Sequence, residues 1–177
     1  MTQKLRGETS KITVRTFAEG MLARLAHDLE LSWPVASAEA DPATGSGSVV
    51  VDAASLKVVG ARKGDVLDEG ALSAHDRAEI AKKLLSSIGA DSGDGHIRAK
   101  ITMASPTAKR ATIEVTLPCG RATSDADVTI TETDGVTRAK GTLTLSLRAL
   151  GVPDIKGPLG AFRLKDRIEI SFTAELA

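Results

Sequence analysis

The chain of 177 residues carries 23 basic and 23 acidic side chains and one cysteine. Balanced charge leaves no overall basic footprint for nucleic acid or an anionic membrane. Four aromatic residues, Phe17, Trp33, Phe162 and Phe172, are too few for a base-stacking platform, and Cys119 has no partner for an internal disulfide.

The length suits one domain spanning residues 1–177 with a full core. Residues 1–11 are polar and mixed in charge, without the roughly 7–15-residue apolar stretch of a signal peptide. No run approaches the ~20 apolar residues of a spanning helix. The expectation is a chain with no integral membrane segment, cytoplasmic as written and periplasmic if a leader was removed.

Residues 11–17 (KITVRTF) read as a first strand, with Ile12 and Val14 on one face. Residues 27–33 (HDLELSW) read as a second, with His27, Leu29, Leu31 and Trp33 together and Asp28, Glu30 and Ser32 opposite. Between them, Met21, Leu22 and Leu25 have helical spacing and predict a short helical turn within residues 18–26. Residues 36–48 are small, acidic and Gly-containing, and read as a loop. Short strands are expected at 48–52 and 55–59, then a polar loop at 62–70.

One helix stands out. Ser73 is a good N-cap with Asp76 three residues on, Ile80, Leu84 and Ile88 form an apolar stripe, and Gly89 ends it. A helix with a single stripe lies against something rather than being surrounded. Residues 96–103 alternate with Ile97, Ala99, Ile101 and Met103 inward, and residues 112–117 with Ile113, Val115 and Leu117 inward. A strand at 127–133 turns through Asp134-Gly135 into a long strand at 136–148. There Leu143, Leu145 and Leu147 alternate with Thr142, Thr144, Ser146 and Arg148. Gly141 marks either close backbone approach of a ligand or, the favoured reading, a bulge that helps the sheet curve. A Gly- and Pro-punctuated crossover at 150–164 precedes the last strand, 167–176, with Ile168, Ile170 and Phe172 on its dry face.

About nine strands and one helix predict an all-β fold with one helix, an antiparallel eight-to-nine-stranded barrel. Antiparallel strands in this number remove exposed edges by closing. An eight-stranded interior can be filled by side chains or hold one small ligand, and a lining of small aliphatic residues favours leaving space.

Several stretches together resemble the YceI-like proteins, a lipocalin-like barrel family: residues 12–17 (ITVRTF), Gly20, Ala26-His27-Asp28-Leu29, residues 47–56, the helix signature Leu72-Ser73-Ala74-His75-Asp76-Arg77-Ala78-Glu79-Ile80, Gly141-Thr142-Leu143-Thr144-Leu145, and residues 155–168. The chain departs from the family at residues 116–123, where many relatives carry a Leu-Thr-Leu-His-Gly segment, and in its thin Phe lining. The resemblance implies a lipocalin-like barrel that encloses an apolar or amphiphilic ligand such as a polyisoprenoid or quinone-like lipid, and allows a homodimer; no cofactor is expected.

The expected ligand contacts are Leu29, Leu31, Trp33, Val58, Leu143, Leu145, Leu147, Ile168, Ile170 and Phe172, with Phe17 and Phe162 nearer the ends. His27 either fixes a ligand head at the barrel mouth or is satisfied by backbone at a strand end. The alternative is a filled barrel working as a structural or interaction module. No metal site is expected, since His27, His75 and His96 lie on different elements without paired spacing. No catalytic residue is assigned: no carboxylate pair stands out, and Gly45-Ser46-Gly47-Ser48 is loop composition rather than a nucleophile elbow. Cys119, between Pro118 and Gly120, reads as an ordinary turn thiol. The chain is therefore expected to be a binding protein and not an enzyme.

Overall fold

The computed structural model describes residues 2–5, 9–22, 26–92 and 94–177. The strands in the first half are β1 (Gln3–Lys4), β2 (Lys11–Thr16), β3 (Ala18–Glu19), β4 (Asp28–Pro34), β5 (Ser37–Asp41), β6 (Ser46–Asp52), β7 (Lys57–Lys63) and β8 (Val66–Asp68). The helix α1 (Ala74–Ser87) follows. The second half holds β9 (His96–Met103), β10 (Arg110–Leu117), β11 (Gly120–Thr133), β12 (Val136–Ser146), β13 (Arg163–Leu164) and β14 (Arg167–Leu176). Twelve of these form one antiparallel sheet in the order β1-β5-β6-β9-β10-β11-β12-β14-β2-β4-β7-β8, and β3 pairs with β13 in a small ribbon.

The fold is the expected antiparallel, lipocalin-like curl with one helix, but the strand count exceeds eight or nine. The sheet is closed by the chain itself. After β4, Val35 N donates to Ser10 O at 3.1 Å and Ala36 N to Val50 O at 3.0 Å, so the same segment leaves the β2 flank and joins the β6 flank as β5. With β4 and β5 taken as one bent strand, the ring runs through β6, β9, β10, β11, β12, β14 and β2 and back. The short β1 laces the seam: it pairs with β5, and Lys4 exchanges hydrogen bonds with Ala177, at 3.1 and 3.0 Å, beyond the end of β14.

Three readings from sequence are corrected. Residues 36–48 are not a loop: β5 and the start of β6 lie there, because Ser37-Ala38-Glu39-Ala40-Asp41 has weak strand character of its own but is held by pairing on both sides. Within 62–70, β8 folds back on β7 as a hairpin. Ala18 and Glu19 form β3 and residues 21–22 a turn, while the rest of the helical turn expected within 18–26 falls on residues 23–25, outside the described residues. Gly141 is not a bulge either. Pairing runs unbroken through it on both sides, and the Phe172 ring from β14 lies over it where a Cβ would stand.

The helix forms as its sequence dictates. The Ser73 hydroxyl accepts from Asp76 N–H at 3.1 Å and the Asp76 carboxylate accepts from Ser73 N–H at 3.1 Å, a reciprocal cap. At the other end Gly89 N bonds Ser86 O and Ala90 N bonds Leu85 O, the pattern of a Schellman stop. Ile80, Ala81, Leu84 and Ile88 pack against the barrel core. Arg77 ties the helix to the sheet. The β4–β7 register shifts between Glu30 and Leu31, and at that irregularity Arg77 Nη1 donates to both Val58 O and Val59 O, each at 2.6 Å. The same guanidinium reaches Leu72 O at 3.3 Å and Glu69 O. Arg77→Met keeps much of the stem but leaves these carbonyls without their donor. It is expected to cost about 1.5–3 kcal/mol and to strip hydrogen-exchange protection from α1 before the sheet.

The crossover between β12 and β14 is tied at its base. The Asp166 carboxylate accepts from Arg148 N–H at 2.8 Å and from Ser146 Oγ at 2.7 Å. The backbone bond from Arg148, then that from Ser146, holds its pKa below the ordinary carboxylate value of 3.8. A carboxyl lowered in the folded state stabilises at neutral pH, and the contribution is lost as pH falls below 3.8 through the lowered value.

Candidate functional site

The barrel is not filled. Inward-facing side chains of β2, β4, β6, β9–β12 and β14 surround a cavity of about 530 Å³, within the usual range of small-ligand sites, roughly 300–1,000 Å³. Alternation places them there: in β9, Ile97, Ala99, Ile101 and Met103 face in while Arg98, Lys100 and Thr102 are exposed. The two ends differ. The turns joining β5 to β6, β9 to β10 and β11 to β12 form one end, where the wall residues Pro42, Ser46, Pro106 and Glu132 are exposed. At the other, α1 supplies Leu84 and Ile88, and the crossover supplies Leu150, Ile155 and Leu164 as a cap. Leu150 and Ile155 are buried beneath it.

Seven of the expected ligand contacts border the cavity: Leu31, Trp33, Leu143, Leu147, Ile168, Ile170 and Phe172. Trp33 is anchored by Nε1, which donates to Ala53 O at 3.1 Å. Leu29, Val58 and Leu145 are buried in the surrounding core without bordering the space. Phe17 and Phe162 belong to the loops at the capped end and do not border it. The Arg167 guanidinium sits 5.5 Å above the Phe17 ring, and the Phe162 ring packs on Gly157. His27 is exposed, immediately before β4, and does not border it. Its neighbour Asp28 accepts from Ala18 N at 2.9 Å instead.

Much of the wall comes from residues not assigned to the site from sequence, among them Val14, Ile113, Val115, Val128 and the helix pair Leu84 and Ile88. The strand alternation marked most of these as inward. Nothing local marked the helix stripe as a cavity wall, since the same stripe would serve a filled core.

The electrostatics of the site are simple. Among the described residues the wall includes no Lys, Arg or His, and its carboxylates, Glu39, Asp41 and Glu132, belong to the exposed end. Lys4 lies 3.9 Å from Glu39. Among the described residues, two buried polar atoms of the wall have no hydrogen-bond partner: Thr16 Oγ1, at the capped end of β2, and Gln3 Oε1, on the opposite seam. Among the described residues no group of three or more His, Cys, Asp and Glu could hold a metal ion. Cys119 sits exposed in the β10–β11 turn, its Sγ donating to Leu150 O at 3.5 Å, and desolvation raises its pKa. A raised thiol pKa reduces the thiolate fraction at neutral pH. Among the described residues no helix is long and apolar enough to cross a membrane.

The chain thus folds as an antiparallel, lipocalin-like curl around a one-ended apolar space. Two solved structures share the fold over nearly the whole chain. Burkholderia cenocepacia BcnA matches with a TM-score of 0.60 at 16% identity, covering 98% of this chain and 99% of its own. A polyisoprenoid binding domain from Saccharophagus degradans, implicated in plant cell wall breakdown, matches with a TM-score of 0.64 at 6% identity, covering 98% of this chain and 97% of its own. The YceI-like fold read from the sequence is thus the fold the chain has. No family model and no curated protein matches the sequence.

Proposed function

We propose that the chain, residues 1–177 acting as one domain, is a non-enzymatic carrier that holds an apolar or amphiphilic lipid, of the polyisoprenoid or quinone-like kind, inside the barrel. The observation that carries this reading is the cavity of about 530 Å³ with its aliphatic wall. Water in such a space has almost no polar partners, whereas each methylene transferred into it gains roughly 0.8 kcal/mol. The shared fold with a polyisoprenoid binding domain supports the same reading.

Native mass spectrometry with solvent extraction, on protein purified from its own host, tests it. The expected result is a stoichiometric apolar species of several hundred daltons that extraction removes. A clean apo mass, with no shift on adding isoprenoid quinones, would instead favour a barrel that works through its surface.

A further inference from the structure

Of the two unpartnered polar atoms on the wall, Thr16 Oγ1 is the one at the capped end, and an apolar container does not explain it. Thr16 is only 4% exposed, borders the cavity, and its hydroxyl oxygen has no hydrogen-bond partner among the described residues. Leaving a buried hydroxyl unpaired is unfavourable, and Val has nearly the same shape without that penalty. Its wall neighbours on the same strand are apolar, Ile12 and Val14, as are Leu31 on β4 and Ile168 and Ile170 on β14. Packing alone therefore gives no reason for a hydroxyl at this position. Rotation about the single χ1 bond exchanges hydroxyl and methyl, so the side chain can offer a donor to the cavity without backbone movement.

Resting on the carrier reading, we infer that Thr16 is a specificity residue: its hydroxyl donates to an uncharged oxygen, a carbonyl, ether or hydroxyl, of a ligand bound with that group toward the capped end. An anionic head is disfavoured at either end. Thr16 is surrounded by hydrocarbon with no cation on the described wall, and the exposed end carries Glu39, Asp41 and Glu132. A buried hydroxyl discriminates because a ligand lacking the matching oxygen leaves it unpaired.

The test compares dodecane, 2-dodecanone and dodecyl phosphate as competitors for Nile red, with wild type, Thr16→Val and Thr16→Ser. Thr16→Val is expected to weaken 2-dodecanone about two- to tenfold and to leave dodecane unchanged. Thr16→Ser, which keeps the hydroxyl, should restore most of the loss, and dodecyl phosphate should be the weakest competitor throughout. Without ligand, Thr16→Val should raise Tm by roughly 2–4 °C. Equal effects of Thr16→Val on ketone and alkane, or no effect on either, would overturn the inference while leaving the carrier reading standing. Failure of all three probes to compete with any form would overturn both.

Discussion

Ala139→Trp is expected to abolish uptake of an apolar probe while the barrel stays folded. Ala139 lies on the inner face of β12, paired with Ile130 on β11 and Ala174 on β14, and all three border the cavity. Ala139 is half-buried and sits toward the open end, beside the exposed Ile130. An indole, which buries about 150–250 Å², would occupy the volume a ligand needs. Filling empty volume avoids the overpacking penalty of a dense core. Nile red affinity should fall at least tenfold, with Tm within a few degrees of wild type. Lys140→Trp, the next residue on the outer face, should bind as wild type. Undiminished uptake by a folded Ala139→Trp would remove the barrel interior as the binding site.

Gly151→Val is expected to give the largest loss of stability of the substitutions considered. Gly151 has φ +78°, which is costly for a β-branched side chain. It closes one turn at the start of the crossover, where Gly151 N bonds Arg148 O at 2.9 Å and Val152 N bonds Leu147 O at 2.9 Å. A Cβ there would also stand 2.7 Å from Cys119 O, in the β10–β11 turn packed against it. That contact is backbone rather than a flexible side-chain tip, so backbone must shift. Left-handed strain and backbone displacement together should cost about 2–4 kcal/mol, lowering Tm by roughly 5–15 °C in a chain of this size. Because this turn leads into the cap, where Leu150 and Ile155 border the cavity, the variant should also lose probe before it unfolds. A Tm within about 2 °C of wild type would show that the turn is free to relax and that the cap is not rigid.

The period-two runs at Leu143, Leu145 and Leu147 and at Ile168, Ile170 and Phe172 told which side chains face inward, and every one of these is on the inner face. They could not tell an inward side chain that meets empty space from one that meets another side chain. Leu143 and Leu147 border the cavity, while Leu145 between them is buried in the core. That difference depends on what the opposite wall supplies, and the opposite wall arrives from elsewhere in the sequence. The ends of the barrel show the same limit. His27 alternates correctly with Leu29 and Leu31, but β4 begins one residue later and leaves it outside.

What the sequence determined by itself were the features whose energy is local: inward alternation, the Ser73–Asp76 cap, the glycine stop of α1, the Asp134-Gly135 turn, and the absence of a net-charge footprint. Each is settled by residues within a few positions of one another. Only the tertiary structure decided the rest. β5 and β8 exist because partners on other strands hold weakly strand-forming residues. The curl closes because β4 bends into β5 and β1 laces the seam. The interior stays open because α1 and the crossover span its end without filling it. These outcomes depend on distances between segments far apart in the chain, which no local pattern of residues encodes.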